Sequence, residues 1–223
     1  MINIALDGLS GSGKGALADG LAKKMNLIHL DTGAIFRAIA LSFVNNKIFD
    51  PTALQIEEHL KDIDIKILAN ENGQQVFLNN INVTPFLRQE EVSKVSSKVS
   101  TNPNVREKYL KIVDDFAKNH NCIIDGRDIT SVVLPNADCK IYLTADENVR
   151  AKRRYDENLS KNINCTYEDV LNNLRERDYR DTHRDLAPLI IVPDAIIVDN
   201  TNLDIEQTIN LCYNIIKDKL KQE

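Results

Sequence analysis

The stretch ALDGLSGSGKGALADGLAKKM, Ala5 to Met25, sets a glycine-rich turn between an apolar run and a segment of helical spacing. Gly8-Leu9-Ser10-Gly11-Ser12-Gly13-Lys14 fills the first seven places of the phosphate-binding pattern G-x-x-x-x-G-K-[ST]. The eighth place departs from it. Gly15 stands where a hydroxyl helps hold magnesium, and Ala16 brings no hydroxyl either. The flanks decide the reading. Met1–Leu6 is an apolar run of strand length, and Ala16, Leu17, Ala18, Leu21 and Ala22 recur at helical spacing. In that order, successive backbone N–H groups and the positive helix end can cradle phosphate oxygens, with Lys14 as a point charge on the β- and γ-phosphates. The stretch predicts a nucleoside triphosphate site in an α/β chain.

Outward from the loop the same alternation continues. A short strand at Leu27–Leu30, a turn at Asp31-Thr32-Gly33 and a helix through Phe43 follow. Ile63–Val83 alternates apolar and polar residues around Asn72-Gly73 and again around Asn79-Asn80, which predicts a small antiparallel element. A helical stretch from Val92 to Phe116 breaks near Asn102-Pro103. Cys122–Ile124, Lys140–Leu143 and Ala195–Val198 read as fully buried parallel strands, and Ile205–Leu220 as the last helix. The count of buried runs gives a three-layer α/β fold with a central parallel sheet of about five strands.

Composition narrows the class. A net charge of -5 over 223 residues argues against binding a nucleic-acid polymer or an anionic membrane. No apolar stretch approaches the ~20 residues that span a bilayer. The first apolar run starts at Ile2, leaving no room for a signal peptide, so a cytoplasmic protein is expected. Cys122, Cys139, Cys165 and Cys212 show no C-x-x-C spacing and read as reduced thiols rather than a zinc site. No guanine-reading N-K-x-D occurs, since Asn46-Lys47-Ile48-Phe49 lacks the aspartate. A small phosphotransferase is the class that remains.

Three clusters supply the acceptor side. DTGAIFR (Asp31–Arg37) and IIDGRD (Ile123–Asp128) each follow a buried strand, where α/β proteins place ligands. In RERDYRDTHRDLAPL (Arg175–Leu189), Arg177, Arg180, Asp181 and Arg184 recur at helical spacing and share a face. A solvated salt-bridged face is the ordinary reading of such a pattern. Several arginines near a phosphate loop favour an anion clamp instead. His29, His59 and His120 have no partner pattern, and His183 is assigned no role.

DGLSGSGKG, DTGAIFRA, DGRDITSVVLPNADCKIYL and RERDYRDTHRDLAPL stand in an order and spacing that resemble the bacterial cytidylate kinase family of P-loop nucleoside monophosphate kinases, over nearly the whole chain. That family's loop also has Gly in the eighth place, but Thr where this chain has Ala16. The resemblance implies one kinase domain over residues 1–223. It would carry an inserted monophosphate-binding region with a β-hairpin at about 61–100 and a mobile lid at about 150–166. It implies ATP-dependent phosphorylation of CMP and dCMP to their diphosphates, with Mg²⁺ as cofactor; a monomer is expected. It puts Gly8, Leu9, Ser10, Gly11, Ser12, Gly13, Lys14, Gly15, Ala16, Arg150 and Arg153 on ATP. Thr32, Arg37, Ser97, Arg106, Arg127, Asp128, Arg177, Asp181 and Arg184 fall on CMP, and Lys14, Arg127, Arg154 and Arg184 are the catalytic set. Asp31 and Asp125 are the acids considered for metal-bound water, and the metal is assigned to neither. Two alternatives stand beside this reading: a kinase of another small acceptor such as UMP, and a nucleotide-binding regulator without turnover.

Overall fold

The computed structural model describes residues 1–70 and 73–221. In chain order the elements are β1 (Asn3–Gly8), α1 (Lys14–Met25), β2 (Ile28–Asp31), α2 (Gly33–Asn45), α3 (Ala53–Leu60), β3 (Ile65–Asn70), β4 (Gly73–Leu78) and β5 (Ile81–Asn82). They continue with α4 (Glu90–Val99), α5 (Pro103–Asn119), β6 (Cys122–Asp125), β7 (Cys139–Thr144), α6 (Glu147–Ser160), α7 (Tyr167–His183), β8 (Ile196–Asp199) and α8 (Ile205–Leu220). A central parallel sheet of five strands has the order β2-β6-β1-β7-β8, and a small antiparallel sheet the order β3-β4-β5. This is the architecture expected from the buried runs. By internal packing the chain divides into two compact units. One holds Ile2–Leu27 with Ile123–Glu223; the other holds Met1 and Ile28–Cys122.

In the first unit, β1 pairs in parallel with β7 from Ile4↔Cys139 to Gly8↔Leu143, and β7 pairs with β8 from Ile141↔Ile196 to Thr144↔Asp199. Leu17, Ala18, Leu21 and Ala22 of α1 meet Cys212 and Ile216 of α8 over Ile4, Leu6, Ile141 and Leu143 of the sheet. Burying Leu17 and Leu21 completely contributes roughly 1.5–3 kcal/mol each. Cys122, Cys139 and Cys212 are buried thiols, and none of the four cysteines is in a disulfide. The carboxyl end of β1 admits only glycine at its last place, because a Cβ on Gly8 would lie 2.0 Å from the Leu143 carbonyl oxygen. β8 corrects one expectation. It lies at a margin of the sheet, and Ile197 is 56% exposed, so its apolar run is not fully buried.

In the second unit, β3 and β4 pair antiparallel from Ile65↔Leu78 to Asn70↔Gly73. Asn72, one half of the expected turn, lies outside the described residues. The turn at Asn79-Asn80 leads into β5, both residues taking the left-handed φ (49° and 66°) that a tight hairpin of this kind requires. Asn102 divides α4 from α5: its side chain accepts from the N–H groups of Asn104 and Val105, and Pro103 occupies the first helical place. Helix α3 was not anticipated. It is eight residues long with only Ile56 and Leu60 buried, and a Thr52/Gln55 capping box starts it.

Candidate active site

The phosphate loop joins β1 to α1. Gly13 takes φ 93° as the residue that opens the helix, a conformation open to glycine at little cost. Ser12 closes the turn by donating its hydroxyl to the Leu9 carbonyl at 2.8 Å. Lys14 is only 6% exposed, and its ammonium donates to the carbonyls of Gly8 (2.7 Å) and Leu9 (2.8 Å). Burial holds its pKa well below the usual lysine range, and the Arg127 charge adds to the effect, while Asp125 and Asp7 pull the other way. A buried cation among carbonyls and a neighbouring cation suits an anion arriving at the loop. Gly15 and Ala16 are exposed, and a Cβ on Gly15 would meet nothing within 4 Å.

Arg127, just past β6, reaches the loop. Its Nη2 donates to the Ser10 hydroxyl at 3.1 Å, and its Nε is held by Asp181 at 2.7 Å. Arg184 donates to the Ala187 carbonyl at 2.8 Å and pairs with Asp128 at 3.4 Å, the Asp128 side chain being 4% exposed. Arg177 carries an exposed side chain whose charge is felt at Lys14. The sequence-derived residues Ser10, Lys14, Arg127 and Asp181 are thus linked by contact or charge, with Asp128 and Arg184 as a second pair.

Helices α6 and α7 carry arginines that bond within the protein. Arg150 is buried, donating to the carbonyls of Ala145 (3.0 Å) and Ser10 (2.8 Å) and to Asp178. Arg153 donates to the carbonyls of Asn200 (2.8 Å) and Leu203 (3.1 Å) and to the Asn200 side-chain oxygen, and the Asn200 amide donates to the Ser12 carbonyl at 3.1 Å. Arg154 points outward and pairs with Glu157 at 2.8 Å. Ala151, Val170, Leu171 and Leu174 give α6 and α7 a small core of their own.

Sequence reasoning missed Asp7, Asp178 and Asn200. Asp7 is fully buried in β1 and accepts from the N–H groups of Ile129 (3.0 Å) and Thr130 (2.7 Å) and from the Thr130 hydroxyl (2.7 Å). It pins the turn that follows Arg127 and Asp128. An acid inside an apolar strand was the available signal; Asn200 gave none.

The other unit carries Thr32, Arg37, Ser97 and Arg106. Arg37 pairs with Asp31 at 2.6 Å, and Gln74 brackets the Asp31 peptide, accepting from its N–H at 2.8 Å and donating to its carbonyl at 3.2 Å. The Arg37 Nε is buried with no hydrogen-bond partner among the described residues. Thr32 is buried at the start of α2, and Ser97 is half-buried on α4. Arg106 is 4% exposed, with its guanidinium 5.8 Å from the centre of the Phe36 ring and 5.4 Å from that of Tyr109.

For Mg²⁺, the donor set decides the manner of binding. Among the described residues no group of three or more His, Cys, Asp or Glu could hold a metal, and Gly15 and Ala16 offer no side-chain oxygen. Mg²⁺ is ordinarily held by one or two carboxylates, waters and substrate phosphates rather than a protein cage. Asp125, whose charge is felt at Lys14, fits that mode.

A lysine buried in a glycine loop at the carboxyl end of a parallel strand, with arginines aimed at the loop, defines a P-loop kinase. The cytidylate kinase family profile matches residues 4–218, and the chain belongs to that family. A cytidylate kinase of Caldicellulosiruptor saccharolyticus is 44% identical over 219 residues, covering 96% of this chain and 97% of its own. One from Caldicellulosiruptor bescii is 41% identical over 223 residues, covering 98% and 99%. A crystal structure of an uncharacterized protein from Eubacterium ventriosum shares the fold at a TM-score of 0.53, with 13% identity and coverage of 97% and 98%.

Proposed function

We propose that this protein transfers the γ-phosphoryl group of ATP to CMP and dCMP, yielding ADP and the cytidine diphosphates. The observation that carries this is Lys14, buried in the loop beside Arg127, in a chain of the cytidylate kinase family. Phosphoryl transfer asks the protein for positioning and charge neutralisation more than covalent chemistry. On this reading Gly8–Ala16 wrap the ATP phosphates, Lys14 serves the β- and γ-phosphates, and Arg127, Arg154 and Arg184 neutralise charge on the moving group. When bound, Mg²⁺ would supply Lewis-acid neutralisation of the phosphate charge, and Asp125 or Asp31 would be the carboxylate that holds its waters. Arg150 and Arg153 serve the donor side, Arg150 bracing the loop at the Ser10 carbonyl and Arg153 through Asn200, whose amide donates to the Ser12 carbonyl.

The acceptor reading gives Thr32, Arg37, Ser97, Arg106, Arg127, Asp128, Arg177, Asp181 and Arg184 to CMP. The unpartnered Nε of Arg37 supports an anion there, since a buried donor left without an acceptor costs about 1–3 kcal/mol. Residues 61–100 act as the monophosphate-binding region and 150–166 as the lid that excludes water. The working state is a monomer in the cytoplasm. ADP formation by the purified protein, coupled to a reporter and run on CMP, dCMP and UMP, tests the reading. Turnover on CMP and dCMP well above UMP is expected. Preference for UMP, or no ADP with any acceptor, overturns it.

A further inference from the structure

Ser10 is held by all three of its polar groups, each time by a charged side chain. Its N–H donates to Asp178 Oδ1 at 2.8 Å, and its carbonyl accepts from Arg150 Nη1 at 2.8 Å. Arg150 and Asp178 also bond to each other, so the peptide of Ser10, an arginine of α6 and an aspartate of α7 form a closed ring. The hydroxyl takes the third bond, from Arg127. Their charged ends are scarcely in water: the Arg150 side chain is 7% exposed and that of Asp178 15%. Arg150 also stands against the loop itself, since a Cβ on Gly11 would meet its Cβ and its backbone oxygen at 3.3 Å.

A desolvated ion pair gives little net stability relative to an apolar replacement, so stability alone does not account for this one. What the ring does is geometric. Gly11 and Gly13 on the C-terminal side take left-handed φ (73° and 93°), and Ser10 is where charged side chains fix the loop from outside. Fixing the Ser10 peptide sets the direction from which the amides of Gly11 to Lys14 start, and it sets the hydroxyl that receives Arg127.

We propose that Asp178 and Arg150 are positioning residues for ATP: the pair clamps the Ser10 peptide from α6 and α7 and so holds the phosphate-binding amides in register. This rests on the reading that the loop binds ATP phosphates. Arg150 acts on the loop rather than on the nucleotide, and the start of α6, α7 and the loop become one mechanical piece. In Asp178→Asn the side chain keeps its size and its acceptor for Ser10, but it turns an amide donor toward Arg150, and the ring opens. Arg150→Lys keeps the charge but cannot serve Ala145, Ser10 and Asp178 together.

The test is calorimetric titration of wild type, Asp178→Asn and Arg150→Lys with ATP and Mg²⁺, and separately with CMP, alongside thermal unfolding. Both variants are expected to bind ATP at least about fivefold more weakly, with CMP affinity changed less than about twofold and the unfolding midpoint within a few degrees of wild type. ATP affinity equal to wild type in both variants overturns the clamp. So does a parallel loss for ATP and CMP with a lowered unfolding midpoint, which marks a merely structural pair. Wild-type protein that binds ATP but makes no ADP with CMP would defeat the functional reading while leaving the clamp testable, because the titration needs no turnover.

Discussion

Thr130 gives both its backbone N–H and its hydroxyl to the carboxylate of Asp7, each at 2.7 Å. The contact joins the strand that ends in the phosphate loop to the turn that follows Arg127 and Asp128. Burial pushes the Asp7 carboxyl pKa up, and the bonds from Thr130 and Ile129 act against that rise. Removing the hydroxyl in Thr130→Val therefore withdraws support from the ionised form. A hydrogen bond to a charged group is worth roughly 1.5–3 kcal/mol, and denaturant unfolding should show a loss of that size in the pH range where Asp7 is ionised. The sign with pH follows: the loss is greatest where Asp7 is ionised and shrinks as pH falls through its raised pKa. Thr130→Ser should restore most of it. An unchanged midpoint in Thr130→Val would mean the hydroxyl contributes nothing.

Lys14 serves charge rather than packing, so Lys14→Met should fold and lose at least about 100-fold in kcat. Its buried ammonium also sets a pH signature. In the free enzyme its pKa is lowered, so the charge is lost as pH rises through a value below the usual one; phosphates bound beside it favour the charge again. The alkaline fall of kcat/KM for ATP should thus come at lower pH than the fall of kcat. Coincident alkaline limbs in steady-state profiles would remove Lys14 as the group responsible.

Ala16 is exposed in the first turn of α1. The Thr carried there by the family can be accommodated, and Ala16→Thr should leave kcat/KM for ATP equal or higher. A collapse of activity would show that the loop has adapted to the methyl group.

The proposed acceptor site gives Asp128 a part in the choice of base. Cytosine offers an amine donor where uracil offers a carbonyl, and a carboxylate can accept only from the first. The Asp128 side chain is buried beside Arg184, so it is not one of a surface ion pair of negligible weight. Asp128→Ala should lower kcat/KM for CMP far more than for UMP, narrowing their ratio by at least about tenfold, or roughly 1.4 kcal/mol. Equal losses on the two nucleotides would reduce Asp128 to a support of the site.

What the sequence disclosed was local. Met1–Leu6, the glycine turn and the helix from Lys14 are legible because strand, turn and helix are each written in neighbouring residues. The helical spacing of Arg177, Arg180 and Asp181 fits α7, but the helix ends at His183 and Arg184 stands beyond it in extended conformation. The partners of those residues were not legible. Ser10 meets Asp178 across 168 positions, and Asn200 meets Ser12 across 188. No periodicity carries such pairings. Arg150 and Arg153 show the consequence: the family resemblance puts them on ATP, but nothing in the sequence says that their guanidinium groups bond to carbonyl oxygens of the protein. The exposed Ile197 was missed for a related reason, since a run of apolar residues does not say whether its strand stands inside a sheet or at its margin.

Cys212, packed under α8 against the sheet, turns the core into a chemical clock. Burial pushes its thiol up to about 12, with nearby Cys139 adding to the shift, and only the thiolate is attacked by alkylating agents. Native protein near pH 8 should therefore react first at half-buried Cys165, and Cys212 only as often as α8 lifts from α1 and β7. Mass-resolved alkylation with iodoacetamide then times that opening without a probe attached, and ligands that quiet the helix would slow the label. Cys212 modified as fast as Cys165 would mean the layer under α8 breathes freely.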